Sequence, residues 1–166
     1  TGSKEEFKNY VLPDDLKGID GDYEINYPDY LGCCKSLDYN LGRIREKLRE
    51  LEIDDNTVII YTSDHGCHFK TKNKELPYGG ADDYKRSFYE NTIRVPMIAY
   101  GPGFKGGKVI KELASLIDIP KTIVELAQKS PPEYMQGVSL LDLANNDLSR
   151  DEVFIQISES YVGRAI

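Results

Sequence analysis

Cysteine and histidine are both scarce in this chain. Of its 166 residues, three are cysteines (Cys33, Cys34 and Cys67) and two are histidines. Cys33 and Cys34 are adjacent and poorly suited to pair with each other. An odd count without regular spacing argues against a disulfide framework. No C-x-x-C occurs, so the usual thiolate zinc signature is missing. Long apolar runs are missing too: none approaches the roughly 20 residues that span a bilayer. Positive charge is in deficit. The 21 Lys and Arg against 28 Asp and Glu leave a net charge of -7, with a pI near 4.9. That balance argues against bulk attraction to nucleic acid or an anionic membrane. No signal peptide is visible, but the chain opens on Thr-Gly-Ser rather than Met. A piece of a longer polypeptide is therefore expected, and targeting information says little about compartment.

What is present fits an ordinary globular domain, or part of one. Apolar residues make up 40% and charged residues 30%. Residues 1–28 are polar, with Asp14, Asp15, Asp20 and Asp22 among scattered glycines, and read as an extended lead-in. Leu37, Leu41, Ile44, Leu48 and Leu51 then recur at steps of four and three. This predicts an amphipathic helix over about 29–52 with that face on a core. Thr57–Thr62 is a short β-forming run that suits a strand covered on both faces. Residues 66–83 read as a glycine-rich polar loop, and 84–92 as a short helix or turn. Val95–Tyr100 predicts a second buried strand, stopped by Gly101-Pro102-Gly103. Asp118 is placed to cap a helix with Pro120 in its first turn. Ser139–Leu143 is a short apolar segment, and Val153–Ile157 a third strand. Helices alternating with oily strands predict an α/β domain, a layered, mostly parallel sheet flanked by helices.

Both histidines fall in one stretch, Thr57–Lys70, which reads TVIIYTSDHGCHFK. A β-forming run delivers Asp64 to the strand's carboxyl end, where ligands collect in such sheets. Asp64 and His65 side by side can hold a divalent cation. The carboxylate suits Ca²⁺ or Mg²⁺, and His65 with His68 tilts the choice towards Zn²⁺. Gly66 allows a sharp bend or a close backbone approach. On the dipeptide alone a plain capped turn is the stronger reading, because short motifs carry little information. Downstream, residues 65–86 hold Lys70, Lys72, Lys74, Lys85 and Arg86 against Glu75, Asp82 and Asp83. A basic stretch in an acidic chain suits an anionic substrate such as a sulfate or phosphate ester. A solvated lysine loop explains it equally well.

Four blocks break that tie: NTVIIYTSDHG, YKRSFYENTIRVPMIAYGPGF, LASLIDIPKTIVELA and YMQGVSLLDL. Their order and gaps resemble the sulfatase family of the alkaline-phosphatase-like superfamily, over about residues 29–166. The tail DEVFIQISESYVGRAI resembles the start of the family's C-terminal portion. The resemblance implies a Ca²⁺-dependent hydrolase of sulfate esters whose nucleophile is a formylglycine made within a C/S-x-P/A-x-R motif. It assigns Asp64 and His65 to the metal. Lys85, in K-x-x-x-Y-E, is assigned to the sulfate, as a catalytic and substrate-binding residue. It also places His68 and Lys70 as substrate contacts in a variant loop. Arg94 reads as structural, paired with Glu90 at helical spacing. The nucleophile motif and the paired aspartates that complete the family's metal site do not occur here.

The organisation expected is therefore 1–28 as lead-in, 29–150 as the C-terminal part of a catalytic domain, and 151–166 as the start of the C-terminal portion. The chain alone is expected to be inactive and to self-associate through exposed sheet edges. Its substrate is expected to be a sulfated small molecule or glycan, in a periplasmic or secreted setting. Two alternatives stay open: a zinc-dependent phosphatase or phosphodiesterase of the same superfamily, and a non-catalytic binding or scaffold module.

Overall fold

A computed structural model of the chain describes residues 6–7, 9–18, 20–69, 84–104, 106–158 and 162–166. It forms two compact units. One contains residues 1–54 and 65–95, the other residues 55–64 and 96–166. The chain passes from the second unit to the first at the Asp64–His65 peptide bond.

The first unit is dominated by α1, Tyr23–Glu50. It begins six residues before the expected start and takes in part of the polar lead-in. A 3-10 turn at Asp14–Leu16 precedes it, so the described part of residues 1–28 includes helical turns. Pro28 lies inside α1. It lies past the first turn, so α1 forgoes the bond from residue 28 to the Glu24 carbonyl at this point. The packing of α1 also differs from expectation. Its buried positions are Tyr23, Pro28 and Gly32. The leucine face lies open, with Leu37 52%, Ile44 55% and Leu51 54% exposed. The amphipathic pattern made the helix, but the unit's core gathers at the helix's other end. There Leu16, Tyr23 and Phe69 cluster with Leu12, Tyr27, Cys67 and Tyr84. Phe69 stacks edge-on against both Tyr27 and Tyr30, with centroids 5.4 and 5.5 Å apart, the arrangement ring quadrupoles favour. The short helix α2, Glu90–Ile93, completes this unit.

In the second unit β1 (Ile59–Thr62) pairs with β2 (Met97–Tyr100), and β3 (Ile155–Ser158) with β4 (Val162–Ala165). Among the described residues both ladders are antiparallel, where parallel pairing was expected. β1 is half-buried at every position, as its unbroken run of β-formers suggests. β2 alternates instead, with Ile98 and Tyr100 outward, so it presents one face rather than two.

α3 (Asp118–Leu126) and α4 (Leu140–Asn145) pack together in this unit through a polar seam. Asp118 does not cap α3. The position before the helix is Ile117, and Asp118 is the first helical residue. Its carboxylate is 0% exposed and accepts four hydrogen bonds. The amides of Ser115 (2.7 Å) and Val138 (2.9 Å) donate two. Arg150 donates the other two as a fork, Nη1 at 2.9 Å and Nη2 at 2.7 Å, a geometry only arginine supplies. Thr122 Oγ1 donates to the Asp118 carbonyl at 2.7 Å and accepts from the Leu140 amide at 2.8 Å. The Ser139 hydroxyl caps α4 by accepting from the Leu141 amide at 3.3 Å. Gly137 makes this seam possible. Its φ is +90°, and a Cβ there would lie 2.6 Å from the Ile117 carbonyl oxygen.

Candidate functional site

The segment after β1 turns sharply and is bound to the rest of the first unit through its backbone. The amides of Gly66 and Cys67 donate to the carbonyls of Thr92 (2.7 Å) and Asn91 (2.8 Å). The His68 amide donates to the Tyr84 carbonyl at 3.0 Å, and the Asp22 amide to the Phe69 carbonyl at 3.0 Å. Four consecutive residues are thereby fixed to α2, to the chain before it, and to the N-terminus of α1. Gly66 is required by crowding rather than by dihedral freedom. A Cβ at this position would sit 2.0 Å from the Asn91 carbonyl oxygen.

On the facing segment, buried Ser87 and Thr92 share a hydroxyl–hydroxyl bond of 2.8 Å. The Ser87 amide donates to the Lys85 carbonyl at 2.9 Å. The Arg94–Glu90 pair has the expected helical spacing, with Nη1 and Oε1 3.3 Å apart. Both side chains are exposed, so this pair contributes little to stability.

These ties bring Lys85 to His65. Lys85 Nζ lies 3.2 Å from His65 Nε2, across twenty residues of sequence. His65 Nδ1 lies 2.8 Å from the Gly66 carbonyl oxygen. A carbonyl only accepts, so Nδ1 carries the proton and Nε2 presents its lone pair. Histidines that ligate metals hold this same arrangement, with the other ring N–H on a carbonyl. The donor chemistry therefore fits a cation at His65 Nε2, with the exposed Asp64 carboxylate as its chain neighbour. One lone pair serves one partner at a time, the Lys85 ammonium or a cation. Among the described residues no group of three or more His, Cys, Asp or Glu could hold a metal. Asp64 and His65 are thus at most part of a coordination shell that, for Ca²⁺, takes about six to eight oxygens.

The other expected contacts fare differently. His68 is 1% exposed, so its ring belongs to the packed interior of the first unit. Lys70, along with Lys72 and Lys74, lies outside the described residues. Beside the turn, burial pushes the Cys67 thiol above its usual range, a backbone bond from Phe69 opposes this, and the Asp22 charge adds to the rise. Cys33 and Cys34 are both exposed on α1.

One contact was not foreseen. The Tyr84 hydroxyl donates to Asp22 Oδ2, and Asn26 Nδ2 donates to the same hydroxyl at 3.4 Å. The bond to Asp22, helped by burial and by the Asp22 charge, pushes the Tyr84 phenol up to about 12, against a small opposing effect of Asn26. Asp22 is one of several aspartates in a polar lead-in. Only the start of α1 at Tyr23 sets it apart, and Pro28 obscures that start.

The profile of the Sulfatase family matches residues 4–129. Canine Arylsulfatase K is 36% identical over 116 residues, covering 70% of this chain and 20% of the relative. Human Arylsulfatase K is 34% identical over 122 residues, 74% of this chain and 21% of the relative. The Extracellular sulfatase SULF-1 homolog of Drosophila melanogaster is 34% identical over 113 residues, 66% of this chain and 9% of the relative. Among solved structures, the chain is similar to BT4656 in complex with its substrate D-glucosamine-2-N,6-O-disulfate. The TM-score is 0.69 at 28% identity, over 83% of this chain and 28% of the other. The chain thus spans about a fifth of the length of the arylsulfatases it matches.

Proposed function

Because this chain belongs to the sulfatase family, we propose that the full-length protein hydrolyses sulfate esters with a divalent cation and a nucleophile outside these 166 residues. The observation that carries the reading is the convergence of Lys85 Nζ on His65 Nε2 at 3.2 Å. It joins the two sequence blocks that bear the family's metal and sulfate residues. In this reading Asp64 and His65 hold the cation, which is Ca²⁺, and the nucleophile is a formylglycine. When bound, the cation polarises the sulfate and withdraws charge from it.

The chain's own residues then have separate tasks. The Gly66 carbonyl holds Nδ1–H of His65 and keeps Nε2 as the lone-pair nitrogen. Lys85 would turn its ammonium donors to a sulfate oxygen. It neutralises negative charge there as the ester bond breaks. His68, packed within the interior, supports the turn, and Lys70 offers a further cation to the substrate. The substrate class is a sulfated small molecule or glycan, and the chain by itself turns over no sulfate ester. Residues 29–150 form the C-terminal part of the catalytic domain and 151–166 begin the C-terminal portion. The layered, mostly parallel sheet is completed by the rest of the polypeptide.

The experiment is turnover of an aryl sulfate by the full-length protein and its Lys85→Ala variant. Loss of one charge-stabilising donor should cost about 10²-fold or more in kcat. Wild-type kinetics in the variant would remove the assignment of Lys85. Calcium should be found on metal analysis of the active protein, and a pair of zinc ions would point to phosphate-ester chemistry instead.

A further inference from the structure

We propose that Tyr84 and Asp22 are positioning residues for Lys85: a hydroxyl–carboxylate tie fixes the backbone from which that lysine extends. The proposal rests on the role given to Lys85 above. It starts from strain. Tyr84 has φ +72°, in the left-handed region that large L-residues avoid. A residue held there is strained and persists only when its surroundings over-determine it.

The surroundings form a closed circuit within the first unit. The Asp22 amide donates to the Phe69 carbonyl at 3.0 Å, and the His68 amide donates to the Tyr84 carbonyl at 3.0 Å. The Tyr84 hydroxyl returns to Asp22 Oδ2 and closes the ring. Asn26 adds a donor to the hydroxyl. The Tyr84 ring stands edge-on to Phe69, at 90° and 6.5 Å between centroids. Asp22 Oδ1 is buried with no hydrogen-bond partner among the described residues, so the carboxylate's side-chain hold is concentrated on the tyrosine. The phenol, pushed up to about 12 with this bond as the first cause, keeps its proton for the tie at any physiological pH.

Lys85 is the next residue along. Its direction is set by the φ and ψ of Tyr84, and its ammonium must arrive within hydrogen-bond reach of His65 or of a sulfate oxygen. Release of the tie lets Tyr84 relax out of the left-handed region, and the Lys85 stem swings with it. A displacement of about 1 Å at a reacting group can cost 10²-fold in rate. Tyr84 and Asp22 act here only through Lys85.

The test uses the full-length, metal-loaded protein and an aryl sulfate. Tyr84→Phe removes one oxygen and keeps the ring against Phe69. It should lower kcat/KM about 10- to 100-fold. In a Lys85→Ala background the same change should cost less than about twofold, because a residue that acts through another is not additive with it. Full additivity would overturn the proposal in favour of a general structural role. Asp22→Ala should match Tyr84→Phe, while Asp22→Asn, which keeps an acceptor, should recover most of the loss. A second readout needs no turnover: the rate of competitive N-acetylation of Lys85, read by mass spectrometry. It should rise about threefold in Tyr84→Phe as the lysine leaves its fixed position, and an unchanged rate would overturn the tie. If Lys85→Ala retains wild-type turnover, the catalytic reading falls. The acetylation rate then still decides whether Tyr84 and Asp22 hold the lysine.

Discussion

Replacing Arg150 by Met should strongly destabilise the second unit. Asp118 is 0% exposed, and its carboxylate takes two hydrogen bonds from amides and two from the Arg150 guanidinium. Arg150 itself is 15% exposed at the side chain, so the pair is largely screened from water. Removing one partner of a buried pair costs about 3–5 kcal/mol, because the remaining charge stays in a low-dielectric site. The amides of Ser115 and Val138 still face the carboxylate, which places the expected loss near the lower end, about 3 kcal/mol. Arg150→Lys keeps the charge but not the fork and should cost about half as much. Adding Asp118→Asn to Arg150→Met neutralises the stranded charge and should recover part of the loss, leaving about 1–2 kcal/mol for the imperfectly matched amides. The assay is the urea midpoint of the full-length protein, compared at constant slope. A loss below about 1 kcal/mol for Arg150→Met, or no recovery on adding Asp118→Asn, would refute the view that an uncompensated buried charge is at stake.

Two further outcomes follow from the turn and from the tyrosine. Gly66→Ala should open the backbone pairing of 66–67 with 91–92, since the added carbon would lie 2.0 Å from the Asn91 oxygen. Hydrogen exchange at the Cys67 amide should quicken at least about tenfold, and wild-type protection there would contradict the crowding argument. Stability should also fall at high pH. The folded-state pKa of Tyr84 is raised above its ordinary value near 10, to about 12. Its contribution is therefore complete below about pH 10 and is lost as pH climbs from there through 12. Tyr84→Phe should flatten the urea midpoint across that window. Tyr30, which burial chiefly also pushes up to about 12, contributes to the slope in the same window. An identical slope in the variant would show that the tie does not hold the proton.

Much of this architecture can be read from residue patterns because it is local. The run of β-formers ending at Thr62 makes β1, the 3.6-residue rhythm of Leu37 to Leu51 makes α1, and the Asp118 segment makes α3. The Arg94–Glu90 pair follows from helical spacing alone. The errors are equally physical. Pro28 and a row of aspartates disguise the first two turns of α1. Strand composition cannot report direction, because the same side chains suit either ladder, and both described ladders are antiparallel. Apolar periodicity says that a face exists and not what covers it. Hence the open side of α1 at Leu37 and Ile44, continued by Leu51 just past its end.

For the candidate site, one dense turn supplies the residues proposed above. Asp64, His65 and Gly66 stand at a strand end, and K-x-x-x-Y-E sets Lys85 apart. Sequence by itself determined those residue types, their place at a strand end and the family they belong to, since each depends on order along the chain. Only tertiary structure brought Lys85 to His65, closed the ring through Tyr84 and Asp22, and set Arg150 on Asp118. Those pairs lie 20, 62 and 32 residues apart. At such separations a contact depends on how the chain returns in space, and neither helical nor strand periodicity carries that information.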